Sequence, residues 1–166
     1  MVTKIGEQYQ PTAAEIACDL WEFQHALIDA ARANNDGDAP EALRRAVDIY
    51  SGDLLQGGDY PWADPARQDL HRRALDAHLR LAQHEQHSGH VDVAVKVLEK
   101  AIDLDHYAEE PHRLLMVLHA TLDRPEAVTA TWRLLHRRLG DLNLEVDAAT
   151  VRLYQSLTET DAHVGT

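Results

Sequence analysis

Apolar residues along this chain recur at steps of three and four, the spacing that lays one face of an α-helix against a core. Ile16, Leu20, Phe23 and Leu27 make the first such stripe, with Trp21 at its edge. Thr12-Ala13-Ala14-Glu15 stands ahead of it as a capping box, in which a Thr and a Glu three residues on each satisfy a free backbone N–H. The stripe fades at Asn34-Asn35-Asp36-Gly37, a turn-forming run. A second helix opens near Asp38, with Pro40 in its first turn, where a missing N–H costs nothing. Its inward residues are Leu43, Val47 and either Ile49 or Tyr50, and it stops at Ser51-Gly52. The loop from Gly52 to Asp64 holds Leu54, Leu55, Tyr60 and Trp62, enough apolar surface to be pinned against the body.

Asp64-Pro65 reads as an N-cap and a proline at the first helical position. It opens a long third helix through Leu70, Ala74, Ala77 and Leu81 that ends at Ser88-Gly89. A fourth runs from about Val91 with Ala94, Val97, Leu98 and Ala101 inward. A fifth spans about Glu110 to Leu122 through Leu114, Leu115 and Leu118. A sixth follows Asp123-Arg124-Pro125, with Val128, Trp132, Leu135 and Leu139 in its core stripe, and a last starts at Asp147 with Val151, Tyr154 and Leu157. No run of four or more alternating residues is bounded by turns, so no sheet is predicted. The expected fold class is all-α, about seven helices in antiparallel hairpins joined by short loops.

Internal repetition favours a stack of hairpins over a closed bundle. Residues 75–108 fit the 34-residue tetratricopeptide pattern in part, with Leu81 and Ala82 at the paired large and small positions, Gly89 in the turn, and Ala94, Leu98 and Ala101 where two helices touch. His78 and His106 replace the usual aromatic and proline. The next unit keeps Leu115, Trp132 and Leu135 in place but has Met116 and Val128 where smaller residues are typical.

Composition narrows the function. The chain has 166 residues, enough for one ordinary domain or two small ones, and 16 Lys+Arg against 28 Asp+Glu give a net charge of −12. That charge argues against gripping a phosphate backbone, which needs clustered cations to displace counterions. A single cysteine, Cys18, excludes an internal disulfide and a Cys-based zinc site, and reads as a small core residue. No window approaches a membrane span, and Met1 to Gly6 lacks the apolar core of a signal peptide, so a cytoplasmic protein with no membrane partner is expected.

Candidate chemistry is sparse. His84, His87 and His90 are spaced for a metal on one helix face, but His90 falls past the helix end at Gly89, and polar face plus turn is the simpler reading. Glu109-x-x-His112 is half of a di-iron motif whose second half is absent. Adjacent acids such as Glu109-Glu110 mark a first helical turn. There is no phosphate-cradling glycine loop and no nucleophile elbow. No catalytic, cofactor or metal residue is assigned, and a non-enzyme is expected.

A longer pattern carries more. Ala46 to Leu55 contains Tyr50-Ser51-Gly52-Asp53-Leu54-Leu55; Tyr60-Pro61-Trp62 follows, then Glu110-Pro111-His112-Arg113-Leu114-Leu115-Met116. Together with Asp19-x-x-x-Phe23 near the start, these resemble the bacterial transcriptional activator domain of the Streptomyces antibiotic regulatory protein family. The family's Leu-Gly-Val-Asp-Pro is replaced here by Leu142-Asn143-Leu144-Glu145-Val146. The resemblance implies a tetratricopeptide-like module over residues 12–158, without the winged-helix DNA-binding domain that precedes it in the family. Residues 1–11 would be an N-terminal extension, Ile5 to Gln10 a remnant of that domain's last strand, and 159–166 a disordered tail. It also implies a role in self-association and in contacts with an attached winged helix or the transcription machinery, as a homodimer for instance, with no direct nucleic-acid contact by this segment. A tetratricopeptide-like adaptor or ligand-sensing scaffold outside transcription is the alternative.

Two residue groups are candidates for partner contact. Arg133, His136, Arg137 and Arg138 form the one basic cluster, readable as a solvated helix face or, through its arginines, as a docking site for an acidic partner. Tyr60 and Trp62 are readable as an interface anchor or as a tether of their loop to the third helix.

Overall fold

The structure, a computed structural model, describes residues 2–5, 8–11, 19–33, 38–52 and 59–159. Seven α-helices account for most of it, α1 (Asp19–Arg32), α2 (Asp38–Ile49), α3 (Asp64–His87), α4 (Val91–Leu104), α5 (Glu109–Thr121), α6 (Pro125–Asp141) and α7 (Ala148–Glu159), and the fold class is all-α as expected. The capping box at Thr12, with Ile16 and Cys18, the turn at 34–37, the loop at 53–58 and the tail at 160–166 lie outside the described residues.

One element departs from the prediction. β1 (Val2–Ile5) and β2 (Gln8–Pro11) pair antiparallel, with Ile5 opposite Gln8 and Val2 opposite Pro11. Strands of four residues are too short for alternation to stand out. Their cue is composition: Val2, Thr3, Ile5 and Tyr9 all favour extended backbone, and Pro11 falls at the terminal pair, where its missing N–H interrupts least.

The chain divides into two compact units, Met1–Arg67 and Gln68–Thr166. In the first, α1 packs on α2. The contact is made by small residues: α1 buries Phe23, Ala26 and Ala30, and α2 buries Ala39, Ala42, Leu43, Ala46 and Val47. The expected Leu20 and Leu27 are only half-buried, and Trp21 is exposed. Helix axes approach as closely as the side chains between them permit, and the buried alanines of both helices favour a short distance. Phe23 meets Tyr50 beyond the end of α2, ring centroids 5.3 Å apart, and Arg45 pairs with Asp29 at 3.0 Å on the outer surface.

In the second unit α3 and α4 run antiparallel. They turn at Ser88-Gly89-His90, and at the far end His71 of α3 lies 3.5 Å from Asp105, just past α4. α4 packs on α5, α5 on α6, and α7 on both α5 and α6. The tetratricopeptide positions behave as expected: Leu81, Ala82, Ala94, Leu98 and Ala101 are each 2% exposed or less. Leu70, Ala74, Ala77, Val97, Leu115, Leu118, Val128, Leu135 and Leu139 are buried too, as predicted. In α7 only Thr150 is buried, so Val151, Tyr154 and Leu157 form a half-covered face. Trp132 is likewise half-buried and not part of the core. Its ring stacks on Tyr154 of α7 at 4.6 Å and 4°.

Three helices stop in the same way. At the end of α3, His90 N–H donates to Glu85 C=O and Gly89 N–H to Gln86 C=O; after α5, Arg124 to His119 and Asp123 to Ala120; after α6, Leu144 to Leu139 and Asn143 to Gly140. This nested pair of bonds needs a left-handed residue after the helix. Gly89, Asp123 and Asn143 supply it, with φ of 81°, 55° and 56°. α7 begins as predicted: the Asp147 carboxylate accepts the Ala149 N–H at 2.7 Å, and the Asp147 N–H donates to the Glu109 carboxylate at 3.0 Å.

Because α4 touches its neighbours through alanine, added volume there should be poorly tolerated. Ala101→Leu is expected to lower unfolding free energy in urea by about 1–3 kcal/mol. Ala149→Leu, at an exposed position of α7, should stay within about 0.5 kcal/mol of the parent.

Candidate functional site

The aromatic candidates sit on a single 3₁₀ turn, Pro61–Ala63, that runs directly into α3. Ala63 is fully buried and anchors the turn, while Tyr60 is 44% and Trp62 73% exposed. Their ring centroids are 6.0 Å apart and tilted. The Trp62 indole therefore stands largely in solvent. The start of α3 also differs from the expected one. Pro61 is the proline at the helical entry, and Asp64, already helical, spends its carboxylate on Arg67 at 3.0 Å instead of on a cap.

The three arginines of the basic cluster separate. Arg133 and Arg137 are exposed on the outer face of α6, one turn apart, opposite the buried Val128, Thr131, Leu135 and Leu139. Neither has an ion-pair partner among the described residues. That sets them apart from Arg45, Arg67, Arg72, Arg73, Arg80, Arg113 and Arg124, each of which holds a carboxylate. Arg138 is turned toward the core side, half-buried, and its Nη1 is buried without a hydrogen-bond partner. So the structure brings Arg133 and Arg137 together and assigns Arg138 elsewhere.

Arg138 belongs with His112. That imidazole is fully buried in the first turns of α5, and its Nδ1–H donates to Ala108 C=O at 2.8 Å. The bond fixes Nε2 as a bare acceptor, and it too is buried and unpartnered. Burial holds His112 below the ordinary pKa of 6.5, and the positive charge of Arg138 pushes the same way against the Ala108 bond. His119, further along the same face of α5, is lowered by burial and by Arg124, and its Nδ1 is buried without a partner. The burial of neither histidine stands out in the sequence, where His112 figures only in the Glu109-x-x-His112 spacing and the run from Glu110 to Met116. The available signal is positional: His112, Leu115, Met116 and His119 are spaced three, one and three, a single buried stripe.

Other histidines are held individually. His87 Nδ1 donates to Gln83 C=O at 2.7 Å, and His90 lies 3.1 Å from the buried Glu85 carboxylate. Among the described residues no three His, Cys, Asp or Glu side chains are grouped as metal ligands. Glu109 is engaged at the start of α7, and Glu110 pairs with Arg113, which also donates to Thr150 at 3.1 Å. A hollow of about 210 Å³ lined by Arg80, Gln83, His84 and His87, and one of about 50 Å³ between Ala120, Arg124, Val128 and Leu157, fall short of the roughly 300 Å³ that a small-molecule site occupies. The candidates from the sequence thus form an exposed aromatic pair and an exposed cationic helix face.

Comparison with known families matches residues 18–158 to the bacterial transcriptional activator domain. No curated protein matches the sequence significantly. No described helix is long and apolar enough to cross a membrane.

The buried histidines make stability pH-dependent. A histidine whose pKa is lowered by folding stays neutral in the native state while the unfolded chain binds a proton. Stability is therefore lost as pH falls through 6.5 toward the depressed value, and is unaffected above it. The stability gap between the parent and His112→Gln is expected to narrow on going from pH 7.5 to about 5.5, read from urea melts at each pH.

Proposed function

Because the chain belongs to the bacterial transcriptional activator domain family, we propose that it is a protein-interaction and oligomerisation module of a transcriptional regulator. The observation that carries this reading is a family match that takes in all seven helices apart from the last residue of α7. It acts in the cytoplasm through protein contacts, with itself, with a winged-helix domain or with the transcription machinery, and not through direct contact with DNA. It performs no catalysis. Paired antiparallel helices suit this work, since they present rigid side-chain rows to a partner.

Two features of the surface support the reading. The Tyr60–Trp62 pair offers large aromatic area at low cost in side-chain entropy, the composition of an interface anchor. Arg133 and Arg137 offer unpaired charge in a chain whose net charge is −12. Arg138 contributes from beneath, on the side of α6 that faces His112 of α5. An acidic segment working beside a basic DNA reader divides the labour: one part neutralises phosphates and the other recognises protein.

The purified chain is expected to associate with a second copy, with its regulator's winged-helix domain or with RNA polymerase of the same bacterium, measured by analytical ultracentrifugation and co-elution. Trp62→Ala should weaken that association about fivefold or more, as truncation of a central aromatic does, with an unchanged circular dichroism spectrum. Absence of all three associations, or tight sequence-specific DNA binding at physiological salt, would count against the proposal.

A further inference from the structure

The outer face of α6 carries a pattern that the interaction reading does not by itself require. Glu126, Ala130, Arg133, Arg137 and Gly140 are all exposed and spaced four, three, four and three, the repeat that keeps one stripe of a helix in register with a second helix. The stripe lies opposite the buried one. Its centre is the unpaired Arg133 and Arg137, about 5–6 Å apart at their Cβ atoms. Small residues flank them, and a Cβ built on Gly140 would meet no atom within 4 Å. The two ends are acidic, with Glu126 at one and the exposed Asp141 at the other.

We propose that this stripe is the docking site for an acidic helix of a partner protein. The occupant carries two carboxylates one turn apart that meet Arg133 and Arg137, small or apolar residues beside them, and no acid opposite Glu126 or Asp141. Charge complementarity selects it. Arg72, Arg73, Arg80, Arg113 and Arg124 are paired with carboxylates of their own helix or of another element, whereas these two hold no carboxylate among the described residues. A nucleic acid gains too little from two exposed arginines set between two acids. Ala130 and Gly140 argue for a helix, because they remove the side chains that would hold its axis away.

The inference rests on the proposed interaction role and names the partner chemistry of one of its surfaces. Its test uses the whole chain and a fluorescein-labelled alanine-rich peptide with glutamates at i and i+4, followed by anisotropy at low salt. Binding should weaken about tenfold in R133E/R137E, stay within about twofold in R72E/R152E, which makes the same change in net charge, and be partly kept in R133K/R137K. A peptide with the same charges and a central proline should bind as poorly as the double reversal affects the parent peptide. The proposal fails if the parent peptide does not bind, if R72E/R152E loses as much, or if the proline peptide binds equally well. It also fails if duplex DNA binds more tightly, or if R133E/R137E converts a dimer to monomers. Co-elution of R133E/R137E with the transcription machinery, without a change in affinity, would overturn this assignment and leave the interaction role intact.

Discussion

The first four helices of this protein meet largely through alanine, and several other features follow from that constraint. Ala26 and Ala30 of α1 and Ala42 and Ala46 of α2 are buried in the first unit, and Ala74, Ala77, Ala82, Ala94 and Ala101 of α3 and α4 are nearly or fully inaccessible in the second. A methyl group contributes little transfer free energy by itself. What it permits is a short interaxial distance, at which many backbone and side-chain atoms reach dispersion contact together. The consequence is a thin core. Leu20 and Leu27 lie half-buried beside the alanines and Trp21 on the surface, while Phe23, Leu43 and Leu98 supply the bulk of the core.

A thin core depends on chain reversals of fixed geometry, and the second unit uses one reversal three times. Gly89, Asp123 and Asn143 are chemically unlike, yet each adopts the left-handed conformation that closes the two nested bonds. Glycine does so freely, and Asp and Asn tolerate it better than most residues. Ser88-Gly89 and Asp123-Arg124-Pro125 are legible in the sequence as helix stops, and so is the cap at Asp147. The backbone signals in this half of the chain are strong and local. Where the pattern misleads, the signal is shared between neighbours: Pro61 and Pro65 both fit a helical entry, and only the 3₁₀ turn shows that the first of them is used.

The surface is legible to the extent that it depends on helical spacing alone. Arg133 and Arg137, four apart, have to share a face, and they do. Arg138 adjoins Arg137 in sequence but points toward the other side of α6, so proximity along the chain groups residues that the helix separates. His112 and His119 are hidden for the opposite reason. Histidine is not scored as apolar, and a stripe of His, Leu, Met and His reads as broken unless the polar residues are allowed to be buried neutral. The β1–β2 hairpin escapes prediction because four residues carry too little pattern.

The uneven placement of the indoles also equips the molecule with native optical probes. Trp62 is 73% exposed, Trp21 43%, and Trp132 lies against the Tyr154 ring at 4.6 Å. The first two, both in the first unit, emit from a wet environment. The third is close enough to a phenol to receive its excitation, and the His136 ring lies 5.8 Å from it. Emission from a single unlabelled sample therefore carries contributions both from the exposed indoles of the first unit and from the seam between α6 and α7.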